Sequence, residues 1–189
     1  MKLTVKDMTL VSMFAALACV PGMMIRFGVE GVVPFSILPF IALLAGLLLG
    51  GRLGALSMLI YIIIGLAGVP VFAVAPFGGP AYLVQPTAGF LFGFIGAAYA
   101  AGRITDTWRK KTLLSYTLAC MAGLAVLYLI GLPYLYVILN FIAGKAVNVW
   151  QLLKIGFLPF IGFDMLKALA AAAIAVPVSR QVTLFDKAR

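Results

Sequence analysis

The chain has 189 residues, of which 65% are hydrophobic and 10% are charged, whereas soluble domains average about 45–50% apolar and roughly 25% charged residues. This composition excludes an ordinary soluble fold and, at about 20 apolar residues for each spanning helix, predicts a single membrane domain over residues 1–189. Because the sequence has no histidine and its net charge of +9 is divided among short loops, we expect no enzyme, no metal site and no nucleic-acid partner.

Apolar runs, and the glycines, prolines and charges between them, predict six membrane-spanning helices. The predicted spans are 7–25, 33–50, 53–67, 88–102, 113–139 and 152–178. The fifth is longer than a bilayer needs, so we expect it to tilt or to break at Gly131 and Pro133. The predicted fold class is all-α, a polytopic bundle of six transmembrane helices.

The basic residues are distributed unevenly between the two sides of this layout. Counted with the N-terminus inside, ten of the 14 Lys and Arg residues fall in inner segments, three in outer segments and Lys167 within span six. Since cytoplasmic loops carry an excess of Lys and Arg, we expect both termini to be cytoplasmic and residues 68–87 to be external.

The segment 68–87 contains no Lys, Arg, Asp or Glu, although it is rich in proline, glycine and aromatic residues. Irregular backbone at membrane depth survives only where protein or a cavity satisfies it, so we expect this loop to dip into the bundle; the alternative is an apolar connector on the surface. Tyr82 and Gln85, at its end, are candidate contacts for a solute, although Tyr82 could equally be an interfacial anchor.

Asp164 and Lys167 stand out because they are charged residues inside an apolar span. Their i, i+3 spacing places them on one helix face, and each charge costs about 2.5–3.5 kcal/mol to insert. A carboxylate that accepts two N–H groups, beside an ammonium that donates to a carbonyl, suits a cyclic urea or amide. The alternative is a structural ion pair. Arg26 could meet a solute carboxylate or pair with Glu30.

Several short motifs together resemble those of the BioY family, the biotin-specific substrate-binding (S) components of energy-coupling-factor (ECF) transporters. These are GVPVF at 68–72, GG at 78–79, PTAGF at 86–90, PF at 159–160 and DMLK at 164–167, and the likeness spans nearly the whole chain. One departure is Leu38, where the family usually has a glutamine, which argues against a ligand contact from span two.

The resemblance implies an ECF S-component fold in which Asp164 and Lys167 hold the ureido ring of biotin. Biotin is then the transported ligand, and no cofactor is expected. The thiophane ring and valeryl tail would contact the aromatic residues of the loop. The candidate substrate-binding set is Asp164, Lys167, Tyr82, Gln85, Phe72, Phe77, Gly79, Arg26 and Asn148.

The first helix carries small residues at four-residue spacing, Ser12 with Ala16 and Ala15 with Cys19, which allow another helix to approach closely. The resemblance implies that this face contacts the transmembrane coupling subunit, whose two ATPases supply the energy; the alternative is packing within the bundle. Because the chain lacks a phosphate-binding GxxxxGK[ST] loop, the energy for any uphill transport has to come from elsewhere.

The implied location is the bacterial cell membrane, in contact with lipid and with both termini cytoplasmic. Four other hypotheses for the function stay open: an S component for a different vitamin, a stand-alone facilitator, a structural membrane protein without a ligand, and an intramembrane enzyme. The last is poor because no second carboxylate lies inside a span.

Overall fold

The computed structural model describes residues 3–26, 36–108 and 112–187, and those residues form helices joined by loops, without strands. The helices are α1 (Val5–Arg26), α2 (Leu38–Leu66), α3 (Ala88–Thr107), α4 (Leu113–Val137), α5 (Val149–Gly156) and α6 (Leu158–Lys187), with a short 3-10 turn at Pro80–Val84 and a widened helical turn at Ile138–Ile142. All of these except α5 and the two turns are long and apolar enough to cross a membrane. The predicted all-α class is confirmed.

Helix α2 is divided at Gly50 into two apolar segments that form a hairpin, and these correspond to the second and third predicted spans. Gly50 has φ 81° and ψ 170°, a conformation that glycine adopts at little cost, and it reverses the chain between residues 38–49 and 51–66. The two segments lie in close contact, since a Cβ on Gly54 would lie 2.8 Å from the Cα of Gly46. The Gly51 N–H donates to Asp106 Oδ2 at 3.1 Å, which ties this turn to the end of α3.

The last predicted span is wrong as a single helix. It is divided into α5 and α6 at Phe157, whose φ of −127° and ψ of −60° end α5. The physical reason is Pro159, which lies in the first turn of α6, where the missing N–H of proline has no intrahelical acceptor to satisfy. The fifth predicted span does not break where expected: α4 continues through Gly131 and Pro133 to Val137.

Small residues allow the backbones of neighbouring helices to come into close contact in the core. A Cβ on Gly46 would lie 2.3 Å from the carbonyl oxygen of Ala98, and one on Gly102 would lie 2.4 Å from the amide nitrogen of Gly51. α6 contributes a row of fully buried alanines at Ala168, Ala171, Ala172 and Ala175. Because lipid is as apolar as the core, close packing rather than hydrophobic exclusion stabilises such contacts.

The loop at 68–87 enters the bundle, as expected from its lack of charge. Val71 and Phe72 are fully buried and Tyr82 is 3% exposed. The ring of Phe72 occupies the space beside Gly65, where an added Cβ would lie 2.1 Å from the ring. The Tyr61 hydroxyl donates to the carbonyl of Val71 at 3.3 Å, so part of the irregular backbone is satisfied by protein.

Candidate functional site

Asp164 and Lys167 form a buried ion pair with two further partners. Lys167 Nζ lies 2.8 Å from Asp164 Oδ1, and the other carboxylate oxygen, Oδ2, accepts a hydrogen bond from the Tyr128 hydroxyl at 2.5 Å. Lys167 Nζ also donates to the carbonyl of Ser36 at 2.8 Å. The pair therefore joins α6 to α4 and to the segment that precedes α2.

The ion pair keeps hydrogen-bonding capacity after these internal contacts are counted. A carboxylate has about four lone-pair sites, and in Asp164 each oxygen has one protein donor, so each can accept one more hydrogen bond. An ammonium has three donors, and Lys167 uses two of them on protein oxygens. The pair can thus offer a ligand two acceptors and one donor on a single helix face.

A cavity of about 720 Å³ opens onto this pair, within the roughly 300–1,000 Å³ range of small-molecule sites. Asp164 and Lys167 line one part of it, and most of the remaining wall is apolar or aromatic. The aromatic lining residues are Tyr61, Tyr82, Phe90, Phe94, Tyr128 and Phe160. α2 contributes Leu38 and Pro39 to the wall, so span two does reach the cavity, with apolar side chains.

Tyr82 also lines the cavity, as the sequence suggested, and the buried ring of Phe72 packs against the ring of Tyr82. The rings of Phe72 and Tyr82 lie 4.3 Å apart between centroids, and Phe72 meets Tyr61 edge to face at 5.7 Å. Phe72 itself lies in the core rather than on the wall. Burial raises the pKa of the Tyr82 phenol, although its hydrogen bond with Thr87 at 3.2 Å opposes the shift, so at neutral pH this group is an uncharged hydroxyl.

The other predicted substrate contacts do not lie on the wall of this cavity. Asn148 caps α5, where its side-chain oxygen accepts from the amide of Gln151 at 2.8 Å. Arg26 is exposed at the end of α1, and its neighbour Ile25 reaches the wall instead. The remaining three are Phe77, Gly79 and Gln85. For these residues and for Phe72, a role in binding stays a prediction, and Glu30 lies outside the described residues.

Three residues of the site were not among the predicted contacts: Tyr128 and Ser36, which bond to the ion pair, and Lys145, which lines the cavity. Tyr128 is one of several tyrosines in the apolar run 113–139, and no sequence pattern indicates which of them faces a charge on another helix. Ser36 contributes a backbone carbonyl, which any residue has. Lys145 belongs to the segment between α4 and α5, whose fold could not be inferred from periodicity.

The small residues of α1 divide between two faces. Ala15 is 1% exposed and Cys19 is 9% exposed, and both contribute to the buried core, in agreement with the alternative of packing within the bundle. Ser12 and Ala16 are exposed. The exposed pair presents two small side chains on the outer surface of α1.

Comparison with known proteins gives a consistent result. A sequence model of the BioY family matches residues 1–184. The chain is 38% identical over 183 residues to a Lysinibacillus sphaericus protein named "Probable biotin transporter BioY", covering 97% of this chain and 90% of the relative. It is 35% identical over 150 residues to the "Biotin transporter BioY" of Thermotoga maritima, covering 79% and 83%.

A solved structure shares the fold. It is the crystal structure of the S-component for biotin from an ECF-type ABC transporter, with a TM-score of 0.72 and 21% sequence identity, and the match covers 95% of each chain.

Proposed function

The chain belongs to the BioY family, and from this membership and the site we propose that it is the biotin-binding membrane subunit of an ECF-type uptake transporter. It is a transport protein and not an enzyme, and biotin is its ligand and not a cofactor. The resemblance stated from the sequence motifs is confirmed by the family match over residues 1–184.

The observation that carries this proposal is the free hydrogen-bonding capacity of the buried ion pair. The ureido ring of biotin has two N–H donors and one carbonyl acceptor. Asp164 has one free acceptor site on each oxygen, and Lys167 has one free N–H. The two sets are complementary, and each bond would be charge-assisted and therefore stronger than a neutral one.

The rest of the cavity suits the remaining part of the ligand. Aromatic walls at Tyr82, Phe90 and Phe160 can bury the sulfur-containing ring and the methylene chain, which have no hydrogen bonds to satisfy. An ion pair that served only as a structural link would need no adjoining cavity of this size. These features support a ligand role for the pair over a purely structural one.

Coupling to a second protein is proposed for the exposed small residues Ser12 and Ala16. Helices in lipid associate through small residues that let the backbones approach, and this pair is presented outward on α1. The partner is the transmembrane coupling subunit, whose ATPases supply the energy that this chain has no phosphate-binding loop to obtain. Ala15 and Cys19 pack inward, so they would affect the contact with the coupling subunit only by setting the position of α1.

We further propose that the protein lies in the bacterial cell membrane with both termini cytoplasmic. The distribution of Lys and Arg supports this orientation. The turn at Gly50 and the end of α3 then lie on the cytoplasmic side, joined through Asp106. The loop at 68–87 and the opening of the cavity then face outward, as an uptake protein requires.

Isothermal titration calorimetry tests the ligand directly. The purified chain, in detergent or nanodiscs and without nucleotide, is titrated with biotin. We expect saturable binding with one site per chain, since the cavity and its polar groups belong to this chain alone. Folded protein that gives no saturable binding would refute the proposed function.

A further inference from the structure

A second lysine lies on the wall of the cavity that holds the ion pair. Lys145 belongs to the segment between α4 and α5, and its side chain is exposed, which places it at the rim. Asp164, by contrast, is 4% exposed. The cavity therefore has an ion pair inside and a further cation at its opening.

The two lysines of the wall differ in their partners. Lys167 is neutralised by Asp164 at 2.8 Å, whereas no carboxylate among the described residues lies within ion-pair distance of Lys145. The carboxylate of Asp7 accepts a hydrogen bond from the hydroxyl of Thr4, near the start of α1. The carboxylate of Asp106 accepts one from the N–H of Gly51, in the turn of α2. Two lysines and one aspartate thus give the cavity wall one unbalanced positive charge.

The backbone that carries Lys145 is held from both sides. Its N–H donates to the carbonyl of Leu139 at 2.9 Å, across a turn closed by Gly144 with φ 62°. Beyond it, the side chain of Asn140 accepts from the N–H of Val147 at 2.9 Å and donates to the carbonyl of the same residue at 3.2 Å. Leu139 and Val147 themselves line the cavity, so the position of Lys145 is fixed relative to the wall although its side chain is free to move.

We propose that Lys145 binds the carboxylate of the ligand. This inference rests on the proposed function, and it assigns the end of the ligand that the buried pair does not contact. In biotin the cyclic urea and the carboxylate lie at opposite ends, joined by an apolar ring and a methylene chain. The cavity offers a group for each part: the ion pair for the urea, the apolar and aromatic wall for the ring and the chain, and the Lys145 ammonium at the rim for the carboxylate. Arg26, which the sequence suggested for this role, does not line the cavity.

The test compares biotin with biotinamide, which keeps the urea, the ring and the chain but ends in a neutral amide. Both ligands are titrated into wild-type protein and into Lys145→Met. We expect wild type to bind biotin about 1.4- to fivefold more tightly than biotinamide, which corresponds to the range for an exposed charge pair. In Lys145→Met the affinity for biotin should fall to that for biotinamide, which should itself be unchanged and so shows that the variant is folded.

Lys154→Met is the matched control. Lys154 is another exposed lysine of the same region, but it lies over the ring of Trp150 and does not line the cavity, so its removal should leave the preference for biotin intact. Raising the salt concentration should shrink the preference in wild type and have no effect in Lys145→Met.

Two negative results have different meanings. If Lys145→Met still prefers biotin over biotinamide as strongly as wild type does, Lys145 does not bind the carboxylate, while the proposed function stands. If wild type binds neither ligand, the proposed function fails and this inference fails with it.

Discussion

Replacing Asp164 by asparagine tests whether the buried pair holds the ligand. The substitution keeps the size of the side chain but replaces one acceptor oxygen by an N–H donor. In the structure both carboxylate oxygens already accept from protein, one from Lys167 and one from Tyr128. The amide oxygen can serve only one of these donors, and the capacity to accept two ligand N–H groups is lost.

The expected loss follows from this count. At least one charge-assisted bond to the ligand disappears, and such bonds contribute about 1.5–3 kcal/mol each, so the affinity for biotin should fall by roughly tenfold to more than a hundredfold. Lys167→Met should weaken binding to a similar degree, because it removes the donor to the ureido carbonyl and leaves Asp164 without its counter-charge.

The double variant Asp164→Asn with Lys167→Met distinguishes a ligand site from a structural link. If the pair serves only to join α6 to its neighbours, each single variant strands a charge, and the double variant recovers both folding and binding. If the pair holds the ligand, the double variant recovers thermal stability without recovering affinity. Calorimetry gives the affinity and a melting curve in detergent gives the stability. Full biotin binding by the double variant would refute the reasoning.

Three further predictions concern the surroundings of the site. Tyr128→Phe should lower the free energy of unfolding by about 0.6 kcal/mol, the average for interhelical hydrogen bonds in membranes, and by no more than about 1.7 kcal/mol, the largest measured value. It should also weaken biotin binding. Unchanged values in calorimetry and melting curves would show that the bond from Tyr128 to Asp164 does not position the carboxylate. Ala16→Trp should retain biotin binding but abolish co-purification with the coupling subunit. The control Leu17→Trp, at an exposed position on another face of α1, should retain both. Unchanged co-purification of Ala16→Trp would contradict the proposed contact face. A cysteine at Gly79 should react with an impermeant maleimide applied to cells and one at Thr107 should not, and the opposite pattern would invert the orientation.

The overall fold could be predicted from the sequence because the apolar runs are long and the breakers between them are unambiguous. The break at Gly50 between the second and third spans was predicted correctly. The boundary between α5 and α6 was not. Pro159 was placed inside a span, although proline is equally compatible with the first turn of a helix, which is where it lies.

The site could be predicted only as far as charge made it conspicuous. Asp164 and Lys167 were found because ionised groups are rare in apolar spans. Tyr128 was not, since a tyrosine among leucines is unremarkable until a second helix brings a carboxylate to its hydroxyl. Phe72 was expected on the wall for its aromatic ring, but it packs in the core behind Tyr82, and composition cannot separate a lining ring from a supporting one.

The central claim is that the buried pair recognises a cyclic urea, and a competition experiment with two partial ligands tests it most directly. Desthiobiotin keeps the cyclic urea and the carboxylate but lacks the sulfur ring, whereas lipoate keeps a sulfur ring, the methylene chain and the carboxylate but has no urea. Labelled biotin bound to the wild-type protein is challenged with each compound over a range of concentrations. The structure predicts that desthiobiotin displaces biotin and that lipoate does not, and displacement by lipoate as effective as that by desthiobiotin would contradict it.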